Sequence, residues 1–244
     1  MTWLRAVLLA VLALTALVLV AAFTVPASVI ADRLPPPLSL EGVRGNLLAG
    51  SVDAIQFKRT PLGQLTWAFA PLALLRGEVA YDINLSGHGH HVRGRFGITP
   101  LRTAVLHHVE IEWPLRSLSN DIQWGGQLSA SIETARVRHA WPDSAMATIT
   151  VRHFMRPDSD IDLGSFTVEL GAGSEAHQIE GHLRDIDGPL SVQATILLSG
   201  DHSYRVDGSL LPRAGTPEDI KDSFTFLGPP DISGRRAFQI AGTM

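Results

Sequence analysis

Five histidines fall in two short stretches, His88, His90 and His91 in SGHGHHVRG and His107 with His108 in LHHVE, and imidazole is the commonest side-chain metal ligand. Residues two apart on a strand point to one face, so His88 and His90 could share an ion. His88, however, is flanked by Gly87 and Gly89, which favour a mobile turn, and no carboxylate stands at a spacing such as H-E-x-x-H. These histidines are therefore expected in solvent-exposed loops. Asp158, Asp160 and Asp162 alternate in DSDIDLG as calcium-loop carboxylates do, but Leu163 occupies the sixth place, where such a loop needs glycine. A solvated loop is the simpler expectation. The chain has no cysteine, which excludes thiol catalysis and thiolate metal sites. It also has no G-x-S-x-G elbow, no S-x-x-K pattern with its usual partners, and no G-x-G-x-x-G opening a helix. No catalytic, cofactor-binding or metal-ligating residue is expected, no small-molecule substrate either, and the chain reads as a non-enzyme.

What remains is a question of placement. The twenty residues Ala6 to Val25 carry no charge, and as a helix rising about 1.5 Å per residue they would span about 30 Å, the thickness of a bilayer's hydrocarbon core. A cleavable signal is the competing reading, with Val29 and Ala31 before Asp32. The run is longer than a signal's apolar region, and only Arg5 precedes it as a basic side chain. An uncleaved anchor is expected, with residues 1–5 cytoplasmic by the positive-inside rule, 6–25 spanning the inner membrane, and 38–244 in the periplasm. Residues 26–37, ending in Pro35, Pro36 and Pro37, read as a stiff spacer.

Composition agrees with a folded body. The 244 residues are 45% apolar and 18% charged with a net charge of −4, which fits neither a disordered chain nor a basic nucleic-acid binder. A body of this size buries enough surface to hold without disulfides in an exported compartment. Its sequence alternates apolar and polar residues in short runs: Tyr81 to Ser86, Val109 to Trp113, Leu128 to Glu133, Ala147 to Phe154, Phe166 to Leu170 and Tyr204 to Leu210. Period two with frequent turn residues predicts an all-β body, a large antiparallel meandering sheet that could curl into a half-barrel. Two short helices are expected. One is Pro71 to Gly77, opened by proline and closed by glycine; the other is Thr216 to Leu227, capped by Thr216, with Pro217 in its first turn and Gly228 at its end. The strings GQLTW, GQLSA, IEGHL and RVDGSL each place glycine just before an inward leucine, as bulges and strand entries do.

Three segments carry a family resemblance. Gly42 to Ala54, GVRGNLLAGSVDA, resembles the glycine-bounded opening strands of the type II secretion system protein N family, which has tryptophan where this chain has Leu48. In LTWAFAPLALLRG, Trp67, Pro71, Leu74, Leu75 and Gly77 match that family's W-x-x-x-P-x-x-L-L-x-G pattern. Leu227, Gly228, Asp231, Gly234 and Gly242 resemble its closing segment. The resemblance implies a bitopic inner-membrane protein that helps export folded periplasmic proteins by contacting other secretion-system components, with no catalytic residues to transfer. By their residue types alone, Pro71 begins a short helix, Leu74 and Leu75 present adjacent apolar surface, Gly77 ends it, and Trp67 packs its ring beneath that helix and finds a partner for its indole N–H. The alternative function is a membrane-anchored, lipid-handling β-groove protein. A lipid carrier requires an accessible apolar groove, whereas a scaffold packs its inward side chains dry.

Overall fold

The computed structural model describes residues 26–28, 38–58, 60–117, 124–155, 161–214, 216–222 and 224–243. The anchor at 6–25, the triple proline, Asp158 and Asp160 lie outside them. Among the described residues, no helix is long and apolar enough to cross a membrane. The structure is predominantly antiparallel β with a few short helices, and it divides into two compact units, Met1–His88 and Gly89–Met244.

The first unit is built from β1 (Leu38–Glu41), β2 (Arg44–Gly45), β3 (Ala49–Phe57), β4 (Thr60–Phe69) and β5 (Val79–Ser86). β3 pairs with β1, β2 and β4, and β4 pairs with β5, all antiparallel. Alternation sorts the residues as the sequence predicts. Leu65, Trp67 and Phe69 on β4 and Tyr81, Ile83 and Leu85 on β5 share one face, while Thr66, Ala68, Asp82 and Asn84 take the other. That apolar face is only partly covered, since each of these six side chains is half-buried. Pro26 bridges to Asn46, and the Ala27 N–H donates to the Gly45 carbonyl at 3.2 Å, so this stretch of chain is tied to β2 and its turn.

The second unit is an up-and-down meander in which each strand pairs antiparallel with the next: β6 (His91–Ile98), β7 (Ala104–Pro114), β8 (Gly125–Arg138), β9 (Trp141–Met155), β10 (Phe166–Ala172), β11 (Ile179–Asp185), β12 (Leu190–Leu198), β13 (Ser203–Pro212) and β14 (Arg236–Thr243). All six alternating runs read from the sequence lie inside strands of the two units. Rows of cross-strand neighbours set large side chains beside glycine. Phe238 covers Gly208 and Leu170 covers Gly181, and a Cβ at either glycine would come within 2.4 Å and 2.7 Å of its neighbour. This accounts for the glycines of IEGHL and RVDGSL as packing partners. The predicted helix at 216–227 resolves into α1 (Glu218–Asp222) and a 310 turn (Thr225–Leu227). Thr216 does not cap it: its buried hydroxyl lies 2.7 Å from the Pro189 carbonyl and 2.8 Å from that of Arg213, and donates there.

Candidate interaction site

Between β4 and β5 the chain forms a six-residue 310 helix, Pro71–Arg76, and its two ends have local causes. Pro71 supplies the fixed dihedral of a first helical position and lacks only an N–H that would have had no partner. Gly77 stands at φ 73° in the left-handed region, where a side chain is strained, and its N–H donates to Leu74 at 2.9 Å. The helix is seated through Ala73, fully buried against Ala70 and Ala80. This seat of three alanines is too small to receive the leucines. Leu72, Leu74 and Leu75 are consequently 72%, 51% and 86% exposed, with Val79 beside them at 45%. Three outward leucines on one short rigid element make an apolar knob. Such a knob has no group that could act on a substrate, but it can bury apolar area against a partner.

Trp67 departs from expectation. Its ring does not serve as the seat of that helix; it lies over Gly50, its cross-strand neighbour, where a Cβ would meet the ring at 2.4 Å. The indole N–H donates to the Asn46 carbonyl at 3.2 Å, while the Asn46 side chain accepts the N–H groups of Leu48 and Ala49 at 2.9 Å and 3.0 Å. Trp67 thus closes the β2–β3 turn from the apolar face.

The closing residues form a turn that launches β14. Asp231 Oδ1 accepts the Ser233 N–H at 2.8 Å, the Ser233 hydroxyl at 2.7 Å and the Arg235 N–H at 2.9 Å. Gly234, at φ 81°, lets the chain reverse there. Arg235 then reaches back to the hydroxyls of Ser209 on β13 and Ser191 on β12, and Arg236 donates to the Gly228 carbonyl. Leu227 is half-buried, and Gly242 lies under the Tyr204 ring. Among the described residues β14 pairs only with β13, so its outer edge offers unpaired backbone groups for strand addition. The Ser233 hydroxyl above all, with the Arg235 and Ser233 N–H groups and the Arg235 charge, holds the Asp231 carboxyl below its ordinary value of 3.8. A carboxylate with a depressed folded value stabilises the fold above its unfolded value and loses that contribution as pH falls through the folded one. Asp231→Ala is therefore expected to lower the denaturation midpoint at pH 7, and the gap from the unsubstituted protein should narrow below about pH 4. An equal gap at both pH values would count against the ionised form as the source.

His88 and Asp162 are exposed in loops as the sequence reading expects, while other histidines depart from it. His90 lies in the connection before β6 as expected, but it is buried there and stacks on Trp113 at 4.2 Å between ring centres. His88 is exposed in the first unit, and His108 sits at φ 48° within β7. Asp162 is held by His153 Nδ1 at 3.0 Å and accepts the Gly164 N–H at 2.8 Å, which ties the loop after β9 back onto that strand. Three histidines that the sequence reading did not single out, His139, His177 and His202, sit on hairpin turns with positive φ and line a cavity of about 580 Å³ with Trp141 and Asp143. His177 Nδ1 lies 2.7 Å from Asp143, and His202 stacks on Trp141, whose indole donates to the Ser199 carbonyl. The only sequence signal was a histidine within each turn. Among the described residues, no group of three histidine or acidic side chains is placed to hold a metal ion.

Comparison with known proteins bears on the knob and the closing turn together. The pattern of the family described as type II secretion system (T2SS), protein N matches residues 36–239. The chain belongs to this family. It is similar to the type II secretion system protein N of Aeromonas hydrophila, 28% identical over 89% of this chain and 90% of the relative. It is also similar to the protein of the same description from Vibrio cholerae serotype O1, 25% identical over 90% of this chain and 91% of the relative. No solved structure matches it. The matched span takes in the opening segment, Trp67, the leucine knob and the Asp231 turn, and stops short of Gly242. Of the family-like residues, Trp67, Pro71, Leu74, Leu75 and Gly77 lie in the first unit, Trp67 against the β2–β3 turn and the others on the short helix and its cap, while Leu227, Gly228, Asp231, Gly234 and Gly242 build the start and the packing of β14 in the second.

Proposed function

We propose that this protein is a non-catalytic accessory component of type II secretion, held in the bacterial inner membrane by residues 6–25 with its β body in the periplasm, and acting through contacts with other secretion-system components. The observation that carries the reading is the knob of Leu72, Leu74 and Leu75: three exposed leucines on a short helix, of which Leu74 and Leu75 match the family's pattern. Isolated exposed leucines are ordinary, but three on six residues form a contact surface. The outer edge of β14 is a second place where a partner could add a strand. In a cell that carries this gene and a type II secretion system, an in-frame deletion is expected to leave secreted enzymes folded and active but retained in the periplasm. Activity assays on periplasmic and culture fractions read the result, and undiminished export would refute the proposal.

A second reading, envelope lipid handling, is favoured by one observation: the apolar face of the first unit is half-exposed instead of packed dry. It predicts normal export in the deletion strain together with an altered distribution of phospholipid or lipopolysaccharide between the membranes.

A further inference from the structure

On the apolar face of the first unit lies a cavity of about 310 Å³ whose lining includes Ala27, Leu40, Val43, Leu47, Trp67 and Tyr81. No charged side chain lines it. The indole N–H of Trp67 is already engaged with Asn46, so the lining offers a ligand few polar groups to orient it. A soluble metabolite would find almost nothing to fix its polar atoms. A peptide strand would find little better, because the β3 and β4 backbones behind the wall are already paired with their neighbours. What fits a pocket whose lining side chains carry no polar group besides the Trp67 indole and the Tyr81 hydroxyl is a hydrocarbon chain.

The position of the cavity says where such a chain would come from. The uncharged run Ala6 to Val25 ends directly before Pro26, which bridges to Asn46, and Ala27, itself 6% exposed, lines the cavity. The cavity therefore lies at the point where the apolar run joins the folded body. We infer that it takes up one acyl chain of a bilayer lipid, which seats the first unit on the membrane surface at the root of its anchor. The inference rests on the reading of residues 6–25 as that anchor.

The test uses the full chain reconstituted into phosphatidylcholine vesicles in which a fraction of the lipid carries a photoreactive diazirine on one acyl chain. After illumination, mass spectrometry maps the modified residues, and flotation of the vesicles reports whether the protein is anchored. The expected result is flotation together with acyl adducts on Leu40, Leu47 or Tyr81. Filling the cavity from its loops with Leu47→Trp, or independently Val43→Trp, should reduce those adducts about tenfold, the loss that follows from removing roughly two methylenes of apolar contact. Adducts within 6–25 should be unchanged, and circular dichroism should report the same sheet content. Two loop positions are used so that a fold defect in one variant does not decide the outcome. Flotation with adducts confined to 6–25 overturns the acyl site and leaves the anchor standing. Failure to float overturns both. A chemically crosslinked dimer joined through the cavity residues, with no acyl adducts there, would assign the cavity to a second copy of the chain and also overturn the proposal.

Discussion

Replacing two of the three outward leucines of the knob, Leu74→Asp with Leu75→Asp, is expected to abolish the protein's contribution to secretion while leaving it folded. The two side chains are 51% and 86% exposed, and surface substitutions away from special features usually change stability by no more than about 0.5 kcal/mol. The seat of the helix is Ala73 against Ala70 and Ala80, and the substitutions do not touch it. At an interface the same change places two carboxylates against an apolar surface, and truncating a hot-spot residue typically costs about 2 kcal/mol or more, roughly thirtyfold in affinity. The measurement is complementation of the deletion strain, with secreted activity in the medium set against the amount of folded variant in the envelope. Full secretion by the double variant would remove the knob as the contact surface and leave the β14 edge as the site to probe. Loss of the protein itself would show that the leucines are structural. In that case Leu75→Ser, at the more exposed of the two positions, separates the roles.

Trp67→Ala is expected to show the largest loss of stability in the first unit, about 3 kcal/mol, the lower end of the range for removing a large aromatic because the face it occupies is only partly covered. Two contributions add. The ring leaves Gly50 bare, and the Asn46 carbonyl loses its donor in the turn that joins β2 to β3. Trp67→Phe loses the hydrogen bond and the outer ring atoms Cζ2 and Cη2 that lie over Gly50 but keeps part of the ring's apolar area, so it should cost less than Trp67→Ala and more than the roughly 1 kcal/mol of the hydrogen bond alone. Denaturant titration of the full chain in a mild detergent, followed by its sheet circular dichroism, separates the two variants. Unchanged stability in Trp67→Ala with loss of secretion would move this residue from the fold to a binding role.

Both predictions concern residues whose types were legible in the chain but whose surroundings were not. The alternating runs announced the strands because a pleated backbone sends successive side chains to opposite faces whatever the partner strand is. Pro71 and Gly77 marked the ends of the short helix because a fixed φ and a left-handed cap are properties of single residues. The direction of the leucines was not legible. It follows from Ala80, which β5 brings beneath the helix, and a seat that small turns Leu72, Leu74 and Leu75 outward. Trp67 was likewise recognisable as a large ring in need of a partner. That the partner is Gly50, however, depends on the β3–β4 register, which a shift of one residue would reverse. His90 went from expected exposure to buried stack for the same kind of reason, since Trp113 lies on β7, the neighbour of β6. Backbone preference and amphipathic period are carried by neighbours in the chain and can be read there. Which side chain meets which across a sheet is set by pairing register, and only the folded structure supplies it.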